Sequence, residues 1–233
     1  MINLFPVPYD DWQHKFDVVT KDPYISKKYD RNKRLQNKSI YIKKNFKDVD
    51  FKGAMVLDIG PGPGEFMEIC RELGANVFGI DAPIMFSEMG NEYMTLSKLM
   101  VDRQQLDVKY IGLETLLKKE DKLPYPDNYF RIINSQGAIE QVFRDYLEGI
   151  PHRVKKDKNL TSWVIDDKLE NILTLFFTEI LRTLEPKGIC LIYGNGAKNV
   201  KEYDKLIKKI VGNIDGLALI YSKKHRLHKV RRS

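Results

Sequence analysis

From residue 54 onward, short apolar runs alternate with longer amphipathic stretches. Met55–Ile59, Asn76–Ile80, Val108–Ile111, Phe130–Asn134, Ile189–Tyr193 and Leu217–Tyr221 read as strands, and stretches near Gly64–Leu73, Ser87–Asp102, Ala138–Leu147, Asp166–Leu184 and Val200–Gly212 read as helices. That alternation predicts βαβ units and a mostly parallel sheet. The helix before Ile189 has the clearest pattern: Leu169, Ile172, Leu173, Phe176, Phe177, Ile180, Leu181 and Leu184 share one side, and Pro186 and Gly188 are expected to stop it. Residues 1–50 are different in kind, rich in aromatics and lysine, with a helix expected over Ser26–Phe46. They read as a cap segment before a main domain over 51–233. Within that domain, Gly149–Ile165 is long for a connection and reads as a lid.

Composition supports a folded core, with 42% hydrophobic and 30% charged residues. No run reaches the ~18–20 apolar residues of a membrane span, and Met1–Pro6 lacks the features of a secretion signal. Cys70 and Cys190 are the only cysteines, which excludes a disulfide framework and points to a cytoplasmic protein. The net charge of +7 is unevenly spread: residues 21–47 carry +8 and residues 223–233 carry +6, so the remainder carries −7. Basic ends on an acidic body read either as solvated segments or as contacts for phosphates or an anionic surface.

The chemistry concentrates in Val56-Leu57-Asp58-Ile59-Gly60-Pro61-Gly62-Pro63-Gly64-Glu65-Phe66. A strand there ends near an acid, and three glycines turn the chain into a helix. Glycines permit positive φ and close approach of a ligand, and the helix start offers N–H groups. Val77-Phe78-Gly79-Ile80 then ends in Asp81, placed to hold ribose hydroxyls. The G-x-G-x-G spacing departs from the dinucleotide fingerprint, and no Gly-Lys-Ser/Thr follows for a phosphate loop. Asp58 would repel a pyrophosphate but suits a ligand with an ammonium group, such as S-adenosylmethionine.

Val56–Glu65 resembles motif I of the class I S-adenosylmethionine-dependent methyltransferases, and Gly79-Ile80-Asp81 resembles their ribose-binding strand end. Leu123-Pro124-Tyr125-Pro126-Asp127-Asn128-Tyr129-Phe130, Ala138-Ile139-Glu140-Gln141-Val142 and Glu179–Ile189 are similar to segments of the ubiquinone/menaquinone-type (type 11) branch, in the same order. The resemblance implies an α/β fold: a doubly wound, mostly parallel seven-stranded Rossmann-like sheet with helices on both faces. It implies S-adenosylmethionine as cofactor, met by Asp58, Gly60, Pro61, Gly62, Gly64, Asp81, Ala82, Ser135 and Gln136. The adenine-contacting acid falls to Glu114, with Glu120 and Asp121 as alternatives. Arg131 and Gln141 depart from the branch's usual Asp and His, and the seventh strand has to come from the basic stretch Arg226–Arg231 unless the sheet edge is truncated.

Glu140 is the first candidate for a general base, which is needed only if the acceptor must lose a proton. His152 in the expected lid is the second, and Tyr29 and Arg31 are candidate substrate contacts from the N-terminal segment. The four histidines form no metal pattern, and no metal is expected. The acceptor expected is a small polar or anionic molecule such as a saccharide or nucleotide-linked sugar. RNA reached through the basic ends is the alternative, and a silent cofactor-binding partner protein is the third reading.

Overall fold

A computed structural model describes residues 30–81, 91–110, 122–139, 167–193, 200–222 and 227–232. The chain divides into two compact units, Met1–Ile111 and Gly112–Ser233.

The first unit begins with α1 (Arg31–Asn45), followed by β1 (Met55–Ile59), α2 (Glu65–Glu72), β2 (Asn76–Asp81), α3 (Asn91–Arg103) and β3 (Asp107–Tyr110). Asp30 caps α1 by accepting from Lys33 N–H at 3.0 Å. The helix therefore starts later than the sequence pattern suggests. Its inner side buries Ile42, and Phe46 just beyond its end is buried too; Tyr41 and Phe46 pack against Phe66 of α2 with ring centroids 6.3 and 6.1 Å apart. β2 lies between β1 and β3 and is parallel to both, in a register that sets Asp58 beside Gly79 and Asp81 beside Tyr110. Met67, Val101 and Leu106 form a buried cluster joined by Val77 and Val108.

The second unit contains β4 (Phe130–Gln136), α4 (Asp167–Thr183), β5 (Leu184–Tyr193), α5 (Val200–Gly212), β6 (Leu217–Ser222) and β7 (Leu227–Arg232). Its strand order is β4-β5-β7-β6, with β4 and β5 parallel and β7 antiparallel to both its neighbours. The basic stretch at the end of the chain is thus a strand, covering almost the residues the sequence offered for it. Val230 is buried within β7, and Arg232 donates to Asn128 Oδ1 and, at 2.5 Å, to the Leu184 carbonyl.

Leu173, Phe176, Phe177 and Ile180 of α4 are buried as the helical spacing predicts, while Leu175, off that stripe, is exposed. Pro186 and Gly188 do not simply separate helix from strand, because β5 already begins at Leu184. The register shifts between Phe130↔Leu184 and Ile132↔Ile189, and Lys187 takes a φ of 66° where the extra residues are absorbed.

Arg182 explains why two of the family-like segments occur together. Its guanidinium donates to the carbonyls of Leu123 (2.8 Å) and Tyr125 (2.9 Å), and to carboxylate oxygens of Asp127 (2.7 Å) and Glu179 (2.7 Å). Glu179 in turn accepts from Leu123 N–H at 2.8 Å. The Leu123–Asn128 turn is therefore held against α4, and the hydrogen bonds to Glu179, then Asp127, raise the Arg182 pKa against the opposing effect of its burial.

Candidate active site

Three glycines build the turn between β1 and α2. Gly60, Gly62 and Gly64 have φ angles of 70°, 54° and 83°, in the left-handed region that costs other residues about 1–2 kcal/mol. Gly60 N–H donates to Ile80 O at 2.7 Å, fastening the turn to the end of β2, and Gly64 N–H donates to Pro61 O at 3.1 Å. A Cβ on Gly64 would stand 2.5 Å from Leu106 Cδ1. Gly64 is also the N-cap of α2 and supplies no side-chain cap.

Two carboxylates flank this turn. Asp58 on β1 is only 3% exposed, and Asp81, half-buried, is the last residue of β2. Burial raises the Cys70 thiol pKa and the Asp58 charge adds to that. Burial likewise raises the Tyr110 phenol, with Asp102 and then Asp81 contributing.

The inner face of α1 brings cations to this region. Arg31 Nη2 donates to both carboxylate oxygens of Glu68, at 2.7 and 2.8 Å. Arg34 donates to Glu65 through Nε at 2.5 Å and Nη2 at 3.3 Å. Lys38, one turn further, is within electrostatic reach of Asp58 and Glu65; burial lowers its pKa, Asp58 and then Glu65 oppose that, and Arg34 adds to the lowering. Part of the +8 segment is therefore turned inward onto acids. Lys33, Lys43, Lys44 and Lys47 lie on the exposed side.

In the second unit, Ser135 and Gln136 end β4. The Ser135 hydroxyl is buried and has no hydrogen-bond partner among the described residues; Gln136 is half-buried. Tyr29, Ala82, Glu114, Glu120, Asp121, Glu140, His152 and the whole of 149–165 lie outside the described residues. Arg31, expected at the substrate, is placed on Glu68, and its Nη1 is a buried donor without a partner among the described residues. No group of His, Cys, Asp and Glu among the described residues is arranged to hold a metal, and no helix among them is long and apolar enough to cross a membrane.

Sequence reasoning missed Arg34, Lys38, Glu65, Glu68 and Tyr110. One signal was available: Arg31 and Arg34 stand three apart, as do Glu65 and Glu68. Two helices crossing in opposite directions match such pairs, and the observed pairing, 31 with 68 and 34 with 65, has that sense.

A parallel βαβ arrangement with a glycine turn and an acid at each of two adjacent strands defines a nucleoside-binding α/β unit. Residues 57–156 match a family described as "Methyltransferase domain". The match spans 100 of the 233 residues and marks that stretch as similar to the family. Among solved structures, the chain is similar in fold to a proposed S-adenosyl-L-methionine-dependent methyltransferase from Methanococcus maripaludis, at 14% identity and a TM-score of 0.50, covering 96% of this chain and 92% of that one. It is similar to the same degree, 14% identity and a TM-score of 0.50, to a chain from the complex between the Haloferax volcanii Trm112 methyltransferase activator and a proposed methyltransferase, over 94% of this chain and 96% of that one. No protein of curated function matches the sequence.

Proposed function

We propose that the chain transfers a methyl group to a small polar or anionic acceptor, such as a saccharide or nucleotide-linked sugar. The cofactor, when bound, supplies a methyl group activated by its sulfonium centre. The residues present suit it. The buried Asp58 carboxylate matches the ammonium of the amino-acid tail, the three left-handed glycines let the main chain approach closely, and Asp81 matches the ribose hydroxyls. Glu140 and His152 remain the proposed bases. Positioning and exclusion of water carry much of such a displacement.

The observation that favours a small acceptor over RNA is the inward turn of Arg31, Arg34 and Lys38. Cations already engaged with Glu68, Glu65 and Asp58 are poor candidates for neutralising phosphates. The test is salt dependence. Binding to transfer RNA should be weak and fall with a shallow slope, and replacing Lys33, Lys43, Lys44 and Lys47 by Ser should leave methylation of a small acceptor intact. A log–log slope of several units, at roughly −0.7 to −0.9 per phosphate, with methyl incorporation into RNA lost in that variant, would reverse the reading.

A further inference from the structure

α1 sorts its cations by side. Arg31 and Arg34, the two arginines of the helix, face inward onto Glu68 and Glu65, and its one aromatic residue, Tyr41, packs against Phe66. The opposite side is different. At about 3.6 residues per turn, Lys33, Ile40, Lys43 and Lys44 fall within an arc of roughly 100°. All four are exposed, Ile40 to 64%. Lys47, also exposed and two residues past the helix, extends the row. α1 itself contains no acid; Asp30 and Asp48 stand only beyond its two ends. Lys33, Lys43 and Lys47 form no ion pair among the described residues. We propose that this outer face of α1 docks on an anionic lipid bilayer, with the lysines among the headgroups and Ile40 at the centre of the contact.

The residue types select the partner. A nucleic acid is best held by forked guanidinium groups and by aromatic rings that stack on bases, and α1 has turned both kinds inward. Lysine ammoniums are compact point charges that suit a diffuse field of headgroup phosphates. Their long stems let the charge reach outward while the apolar part lies along the surface. An exposed isoleucine within the row gains nothing from a phosphodiester chain, but it gains from leaving water at the headgroup boundary. Lys33 and Lys44 lie about 16 Å apart along the helix axis, enough for the row to meet several headgroups. The two arginine clasps fix α1 to α2, so the lysines are presented along a set line and less freedom is lost on docking. The inference is independent of the acceptor proposed above, since none of these side chains has a part in methyl transfer.

The experiment is co-sedimentation of the full chain with vesicles of phosphatidylcholine alone, and of equal parts phosphatidylcholine and phosphatidylglycerol. Binding should be confined to the anionic vesicles. Each lysine near such a surface contributes about fivefold in affinity, so replacing Lys33, Lys43, Lys44 and Lys47 together by Ser should weaken binding by roughly 100-fold or more. Replacing the same four by Arg should retain it. Ile40→Ser should weaken vesicle binding by roughly 3- to 10-fold and leave binding to polyglutamate or transfer RNA unchanged. Wild-type protein that ignores the anionic vesicles overturns the proposal. A serine variant that binds them as well as wild type also overturns it, and would assign the attraction to other cations. Tighter binding to transfer RNA or polyglutamate than to vesicles, lost in the serine variant and indifferent to Ile40, would replace the bilayer with a soluble polyanion. Should the serine variant fail to fold, Ile40→Ser decides, and unchanged vesicle affinity there removes the bilayer as the partner.

Discussion

Arg34 on α1 grips the carboxylate of Glu65, the first residue of α2, and Glu65 is wholly buried. An acid in the first turn suits the helix dipole, but a buried one also needs a counter-charge, and the residue that supplies it is 31 positions away in sequence. The glycine turn and the N-terminal helix are therefore one electrostatic unit.

The two arginines of α1 should differ in worth. Removing one partner of a fully buried pair costs 3–5 kcal/mol. Arg34 is 31% exposed, so Arg34→Met should cost less, about 2 kcal/mol. Arg31 and Glu68 are both more open to water, at 32% and 15%, and Arg31→Met should cost under about 1 kcal/mol. Urea unfolding of both variants checks the order, and a larger loss for Arg31→Met would contradict the assignment of Glu65 as the buried end.

Glycine substitutions separate backbone strain from crowding. Gly53 has a φ of +71° and nothing within 4 Å of an added Cβ, whereas Gly64 has a φ of +83° and Leu106 Cδ1 at 2.5 Å. Gly53→Ala should cost about 1 kcal/mol. Gly64→Ala should cost more, about 2–3 kcal/mol, because Leu106 must move as well. Thermal unfolding would show the difference, and a tighter S-adenosylhomocysteine affinity in Gly64→Ala would be inconsistent with a turn that needs to stay bare.

Arg182→Lys preserves the charge and loses the fork. The planar guanidinium serves two carbonyls and two carboxylates at once, and an ammonium on a shorter reach cannot. A loss of about 2–4 kcal/mol is expected, accompanied by faster amide exchange at Leu123, whose N–H is held by Glu179. Unchanged exchange there would show that the turn is held by other contacts.

The glycine turn was legible in the sequence because its physics is local: three glycines at that spacing between an apolar strand and a helix have few conformations that connect them. All three adopt positive φ, as expected. The stripe of α4 was legible for a similar reason, since helical spacing alone places Leu173, Phe177 and Ile180 inside. The start of β5 was harder, because Pro186 and Gly188 read as an interruption and the register shift that accommodates them depends on β4. Residues such as Lys38 were harder still. A lysine in a basic helix reads as solvated, and only the fold brings it within electrostatic reach of Asp58.

The pairing of α1 with α2 has a practical consequence for anyone shortening this protein. A chain begun at residue 46 would retain the whole methyl-donor motif and still be altered at its centre. Asp58, Glu65 and Glu68 would then be three acids stripped of Arg31, Arg34 and Lys38. A trimmed chain with poor donor affinity would then be reporting acids that have lost their counter-ions.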